Sequence, residues 1–197
     1  MQYGKIVEVT GEESEQLLFL ARGILTELDL PTKTALKYLY FEPSEKEGEL
    51  IGIATDGRHL HLTILSADFV NQHGLFAGYW KIIKAKQRKR YIWLVNIDEP
   101  ENGYYFPKYK KIIPNTDDAK YKTTFDGFGT GSFNMNLAKL LHGFPDVTAL
   151  NPDYLISLGS GTWEVYWYEQ NKAIKFIQDV NVGLIMPLQF DKEEKDV

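Results

Sequence analysis

The segment Leu50 to Leu62 reads LIGIATDGRHLHL and decides the fold, because it holds two apolar stretches with a turn signal between them. The large side chains predict strands at Leu50 to Thr55 and at Leu60 to Leu65. Asp56-Gly57, which connects the two strands, is a dipeptide typical of tight hairpin turns. The sequence therefore predicts two neighbouring strands of an antiparallel sheet here.

Further strands are predicted on both sides of this pair, and helices are few. Alternating apolar or aromatic runs predict strands at Lys5–Val9, Leu36–Glu42, Tyr91–Ile97, Tyr121–Phe125, Ser132–Met135, Tyr154–Leu158, Trp163–Tyr168, Ala173–Gln178 and Val182–Leu188. Helices are predicted at Glu12–Leu28, Gly78–Ala85 and Asn136–Leu141. Because strands and helices do not alternate, we expect an α+β fold, with antiparallel sheets and short helices packed on one face.

Composition indicates an ordinary globular protein. The chain has 197 residues, enough for one large domain or two small ones, and 44% of them are hydrophobic. There is no cysteine, which excludes disulfides and thiolate metal sites. No secretory signal or membrane-length apolar run stands out, so we expect a cytoplasmic protein without a membrane partner. The net charge of −5 argues against binding nucleic acid by bulk attraction.

A polar segment divides the chain. FPKYKKIIPNTDDAK, which contains Pro107 and Pro114, disrupts both the helical and the strand period. We therefore expect one domain over residues 1–105, a linker over 106–119 and a shortened second domain over 120–190. The last seven residues, 191–197, read DKEEKDV and are predicted to form a solvated tail.

Four segments resemble, in the same order, parts of the bacterial DNA polymerase III beta sliding clamp. They are TALKYLYFEPSEKEGELIGIATDGRHL from residue 34, FPKYKKIIP from 106, GSFNMNLAKLL from 131 and GLIMPLQF from 183. The resemblance implies a DNA-clamp-like fold and a non-catalytic processivity factor in DNA replication or repair. The chain departs from the family in its length and in the order of Arg58-His59, which is usually reversed.

The resemblance also implies a groove between the two domains that binds short linear motifs of DNA polymerase or other clamp-binding proteins. By matching position its lining comprises Thr55, Gly57, Arg58, Leu60, Pro107, Lys111, Ile112, Met186, Pro187 and Leu188. We expect the segments ATDGRHL and LIMPLQF to converge beside Pro107. From the residues alone, the same positions are turn and core residues of a sheet.

The basic run KIIKAKQRKR, residues 81–90, is the second candidate site. In a clamp-like ring its side chains would contact the backbone of double-stranded DNA, and the candidates are Lys81, Lys84, Arg88 and Arg90. The alternative is a solvated surface helix. Ring formation would make the protein a homo-oligomer; without it, the chain would be a stand-alone peptide-binding adaptor or decoy.

Catalytic chemistry has little support in the sequence. His59 and His61 alternate on a strand predicted to be half-exposed, and with Asp56 they leave a metal-dependent hydrolase as a third reading. No further histidine has metal-ligand spacing, and the glycine-rich run at residues 127–131 lacks the lysine of a phosphate-binding loop. We therefore expect no enzyme, no metal and no cofactor.

Overall fold

The predicted hairpin is present in the computed structural model, which describes residues 4–24, 36–98, 100, 105–127, 133–143, 150–169 and 172–187. Its strands, Leu50–Thr55 and His59–Leu65, pair antiparallel with Ile53 opposite Leu62 and Ala54 opposite His61. This confirms the interpretation of Asp56-Gly57 as a tight turn.

Ten strands and four α-helices occur in the described residues. The strands are β1 Ile6–Thr10, β2 Leu39–Pro43, β3 Leu50–Thr55, β4 His59–Leu65, β5 Gly78–Lys86, β6 Tyr91–Ile97, β7 Tyr121–Asp126, β8 Thr162–Trp167, β9 Ile174–Gln178 and β10 Asn181–Ile185. The helices are α1 Glu15–Arg22, α2 Ala67–His73, α3 Phe133–Gly143 and α4 Pro152–Leu158. Short 3-10 helices lie at Gly11–Ser14, Gln87–Lys89, Tyr109–Lys111 and Thr116–Asp118.

The described residues form two units. The first comprises those up to Tyr109 together with Asp179–Gly183, and the second comprises those of Lys110–Gln178 and from Leu184 onward. The change at Tyr109 falls within the segment FPKYKKIIPNTDDAK. Strand β10 is divided between the units after Gly183.

The first unit is an antiparallel sheet with strand order β1-β6-β5-β2-β3-β4. Helix α1 packs on this sheet because Leu17, Leu18 and Leu20 place an apolar stripe against it. Gly52 on β3 makes the close approach possible, since a Cβ there would lie 2.5 Å from Leu20 Cδ1. The fully buried Phe41 and Trp80 fill the remaining space.

The second unit has the antiparallel strands β7, β8 and β9 in that order, with the end of β10 next to β9. Its interior includes Phe125, Trp163 and Phe176, all nearly inaccessible to water. Helix α3 contacts β7, and Asn136 Nδ2 donates to the Asp126 carbonyl at 3.0 Å. Antiparallel sheets with short helices confirm the predicted α+β class.

Three predicted elements are wrong, each for an identifiable reason. Gly78–Ala85 is not a helix but most of β5, because its aromatic and β-branched residues pair with both β2 and β6. Tyr154–Leu158 is not a strand but lies in α4, whose start is fixed by the Asn151 side chain accepting from Asp153 N–H. Residues 133–135 belong to α3 rather than to a strand.

Other differences concern helix ends. Glu12–Leu28 contains a 3-10 turn before α1, and α1 ends at Arg22; residues 25–28 lie outside the described part. Helix α2 was not predicted, although Ser66 caps its start and Gly74, with φ 59°, ends it. Among the described residues, none of the helices has the length and apolar character that crossing a lipid bilayer requires.

Candidate functional site

The turn between β3 and β4 is held by its own side chains. Asp56 Oδ1 accepts backbone N–H groups from Arg58 and His59, both at 2.7 Å, and the Thr55 hydroxyl donates to the His59 carbonyl at 2.6 Å. Gly57 has φ 89°, which only glycine adopts without strain, and its N–H donates to Thr55 Oγ1. Arg58 is thereby left exposed at the tip of the turn.

This network also sets the charge of Asp56. Burial by itself raises the pKa of the carboxyl, but the hydrogen bond and charge of the His59 side chain, with the two backbone N–H groups, lower the pKa to about 2. Asp56 is thus ionised at neutral pH and faces His59 Nδ1 at 2.9 Å. The Asp56 carboxylate therefore stabilises the turn, and its role is structural.

The two strand histidines are buried, so their prediction as side chains of a half-exposed strand is wrong. His59 is 4% exposed and His61 is inaccessible. His61 Nδ1 lies 2.7 Å from the Phe19 carbonyl, and His59 Nε2 lies 3.4 Å from the Arg22 carbonyl. Both carbonyl groups belong to α1, so this helix covers the two histidines. Within the described ranges, no three His, Asp or Glu side chains come together as a metal site, and the geometry does not favour the hydrolase reading.

A pocket in the second unit is the candidate binding site. Its volume is about 460 Å³, which suits a few side chains of a peptide or a small molecule. Its lining consists of Lys111, Ile112, Ile113, Pro114, Asn115, Asp118, Tyr168, Lys172, Ala173 and Met186. Three of these residues, Lys111, Ile112 and Met186, were predicted for the groove, and the structure brings them together. Ile112 is 55% exposed and Met186 38% exposed, so the pocket presents two large apolar side chains to solvent.

Polar groups border this apolar surface. Lys111 and Lys172 are exposed, and the Lys172 ammonium lies 3.6 Å from the Glu169 carboxylate. Tyr168 is buried, and burial, together with the nearby charges of Tyr166 and Asp118, raises its pKa to about 12. Lys175 donates to the Pro114 carbonyl at 3.1 Å and so ties the pocket wall to β9. The pocket can therefore hold an apolar anchor and bind an acceptor group at its rim.

The other predicted groove residues have different positions. In the first unit, Thr55 and Leu60 are buried, whereas Pro107 is exposed. Pro187 is half-buried in the second unit, and Leu188 lies outside the described residues. Convergence of the two segments beside Pro107 stays a prediction.

Sequence reasoning missed seven lining residues. Some follow Ile112 directly in the linker, so the run Ile113-Pro114 was an available signal. Others, such as Tyr168 and Ala173, are brought to the pocket only by the pairing of β8 with β9. The sequence predicts both strands of this hairpin, but local periodicity does not show that the hairpin lies beside residues 111–115.

The basic run lies on a strand and a turn, not on a helix. Lys81 and Lys84 are exposed on β5, Arg88 lies in the 3-10 turn that follows, and Arg90 ends this turn with φ 45°. Arg90 is engaged by Glu15 at 3.1 Å and Glu12 at 3.7 Å. Contact of these residues with DNA stays a prediction, and Arg90 is the least available of the four.

Comparison with known proteins supports the fold. Neither the protein-family models nor the curated protein sequences give a match. Among solved structures, the chain is similar to the DNA polymerase III beta subunit of Borrelia burgdorferi in complex with a natural product (TM-score 0.56, 15% identity, 96% of this chain and 64% of that one).

Two further clamps give the same result. They are the DNA polymerase III beta chain of Streptococcus pneumoniae (TM-score 0.57, 14% identity, 96% and 66% coverage) and the sliding clamp of Bartonella birtlesii bound to griselimycin (TM-score 0.56, 12% identity, 96% and 67% coverage). The chain thus spans about two thirds of the length of these clamps. At this identity the likeness concerns the fold, and the chain has the fold of bacterial DNA polymerase III beta sliding clamps.

Proposed function

We propose that this protein is a non-catalytic, clamp-like protein of DNA replication or repair that binds a short linear peptide motif in the pocket of its second unit. The observation that carries the proposal is the joint position of Ile112 and Met186, two exposed apolar side chains in one pocket on a sliding-clamp fold. A large apolar side chain of a peptide would bury both residues. Lys111 at the rim would bind a carbonyl or carboxylate of the same peptide.

The test is a titration with a fluorescein-labelled peptide that carries the clamp-binding motif of a bacterial DNA polymerase, followed by competition with griselimycin. Griselimycin is a useful competitor because the Bartonella birtlesii clamp has been crystallised with it. The Met186→Asp variant places a charge in the pocket, and we expect it to weaken peptide binding by about 30-fold or more.

The chain offers a matched control. Ile156 on α4 is 37% exposed, close to the 38% of Met186, and belongs to the same unit but not to the pocket. Ile156→Asp should leave peptide affinity unchanged. Equal affinities of wild type, Met186→Asp and Ile156→Asp would exclude this pocket as the binding site.

Ring formation is part of the proposal, and the adaptor without a ring is its alternative. Among the strands of the described residues, β1 and β7 each stand at the end of the strand order, so each would offer one edge for pairing with another chain. Ile6 and Tyr121 on these strands are large and exposed. Sedimentation at high protein concentration distinguishes the two cases: a strict monomer favours the adaptor or decoy.

Nucleic-acid contact is the second component. Lys81, Lys84 and Arg88 are exposed and would bind phosphates without reading sequence, with double-stranded DNA as the partner expected from the fold. Arg90 would contribute less because Glu12 and Glu15 already engage it.

A further inference from the structure

Strands β1, β6 and β5 place three cations and two aromatic rings on one face of the first-unit sheet. Directly opposed residues form three rows: Thr10, Tyr91 and Lys86; Glu8, Trp93 and Lys84; and Ile6, Val95 and Lys81. Residues opposite each other in an antiparallel pair point to the same side of the sheet. The other side carries Ile92 and Leu94, which are buried in the core.

A β-bulge makes this arrangement possible. Lys81 and Lys84 are three residues apart and would normally point to opposite faces. The register between β5 and β6 shifts between Ile82 and Lys84, so Ile83 is the additional residue. All three lysines therefore share the face that carries Tyr91 and Trp93.

The face is cationic as well as aromatic. Lys81, Lys84 and Lys86 are exposed, and Arg88 and Lys89 follow in the adjoining turn. In the nine positions of the three rows, Glu8 is the one acidic residue. The side chains of Tyr91 and Trp93 are half-buried, and Lys84 Nζ lies 5.6 Å and 5.5 Å from their ring centres.

We propose that this face of β1, β6 and β5 binds single-stranded nucleic acid, with bases stacked on Tyr91 and Trp93 and phosphates bound by Lys81, Lys84 and Lys86. The inference rests on the proposed nucleic-acid contact but replaces double-stranded DNA, the partner expected from the fold, with a single strand. The Tyr91 and Trp93 rings are neighbours, with centroids 6.2 Å apart and planes inclined by 52°, so together they provide one aromatic surface for stacking. Lys84, a flexible side chain, turns from the rings to a phosphate when a base occupies the site.

The aromatic rings favour a single strand over the other polyanions that the lysines could bind, namely a duplex or an acidic peptide. A duplex or an acidic peptide would use only the lysines, because duplex bases are already stacked and carboxylates do not stack. Unpaired bases gain about 1–3 kcal/mol each from aromatic side chains, and this gain does not depend on sequence. Neighbouring rings and cations on an open sheet therefore favour a single strand.

The experiment measures fluorescence anisotropy of labelled oligothymidylate of about 20 nucleotides, which exceeds the usual single-strand site size per small domain. A duplex of the same length and a labelled poly-glutamate are the comparison probes. We expect the single strand to bind most tightly, with a slope of log K against log salt of about −2 if three lysines bind phosphates.

Two variants test the residues. Trp93→Leu keeps an apolar side chain. The change breaks no hydrogen bond among the described residues, because the indole N–H of Trp93 has no acceptor there. It should weaken single-strand binding by about 5- to 100-fold. Lys84→Gln should also weaken binding, and its matched control is Lys122→Gln, because Lys122 lies 4.9 Å from the Tyr166 ring in the second unit.

The outcomes separate this inference from the proposed function. Duplex binding equal to or tighter than single-strand binding would overturn the inference and leave the nucleic-acid contact standing. Equal binding of poly-glutamate, or an unchanged affinity in a folded Trp93→Leu variant, would show that charge alone acts and would also overturn it. If Trp93→Leu does not fold, Tyr91→Leu replaces it under the same criteria. Absence of binding by all three probes would overturn both.

Discussion

The Nδ1 atom of His61 lies 2.7 Å from the carbonyl oxygen of Phe19, and the two rings stack with their centroids 4.3 Å apart. An imidazole in this position donates from Nδ1 and is neutral. Burial, followed by the charge of the neighbouring His59, lowers the pKa of His61 to about 3. Two further charges act on the pKa of His61. Arg22, whose own pKa is lowered by burial, lowers it, and the carboxylate of Asp56 raises it.

This pKa predicts acid sensitivity. Unfolded His61 has a pKa of about 6.5, so between pH 6.5 and pH 3 the unfolded chain binds a proton that the folded chain does not. The contribution to stability is fully present above pH 6.5 and is lost as the pH falls, at up to about 1.4 kcal/mol per pH unit. Urea denaturation of wild type and His61→Phe between pH 4 and 7, about the range of histidine titration, measures it. The prediction fails if the free energy of unfolding changes with pH by the same amount in wild type and in His61→Phe.

Gly52→Ala should destabilise the first unit by about 1–3 kcal/mol. The new methyl group would lie 2.5 Å from Leu20 Cδ1 and 3.1 Å from Phe41 Cε1, and both side chains are buried and closely packed. A shift of the urea midpoint at unchanged slope would measure this loss. A stability equal to that of wild type would mean that α1 can move away from β3 at no cost.

Tyr109→Phe should cost about 1.5–3 kcal/mol, the usual value for a hydrogen bond to a charged group. The Tyr109 hydroxyl donates to Glu42 Oε1 at 2.6 Å. Burial and then the Glu42 carboxylate raise the pKa of Tyr109, so the hydroxyl remains a donor. Tyr105→Phe is the control, because Tyr105 is 75% exposed and should tolerate the change. Thermal unfolding of both variants provides the measurement, and equal losses would contradict the assignment.

The sequence predicted those parts of the fold that depend on short-range signals. The hairpin from Leu50 to Leu65 was predictable because Asp56-Gly57 specifies the turn. Helix α4 is an exception: it was predicted as a strand, although Asn151 before Pro152 is an equally local signal that outweighs the strand-like composition of Tyr154–Leu158. Strand β5 was not predictable from its lysines, since its conformation depends on pairing with β2 and β6.

The candidate pocket could be predicted only in part. Resemblance identified Lys111, Ile112 and Met186, which come from segments more than 70 residues apart. Tyr168 and Lys172 lie at the connection between β8 and β9, and no local pattern signals that this connection lies beside Ile112. The burial of His61 is similar, because the covering residue, Phe19, belongs to α1. Long-range packing thus decides both the lining of the pocket in the second unit and the burial of His61 in the first.

The last prediction separates structure from binding in the turn before β4. Asp56→Ala removes the acceptor of two backbone N–H groups and the partner of His59, so it should cost about 2–4 kcal/mol of stability. Arg58→Ala should change stability by at most about 0.5 kcal/mol, because the side chain is exposed. If Arg58 belongs to the peptide site, the same variant should weaken binding of the labelled clamp-binding peptide about tenfold. Unchanged peptide affinity in Arg58→Ala, with binding still lost in Met186→Asp, would confine the site to the second unit.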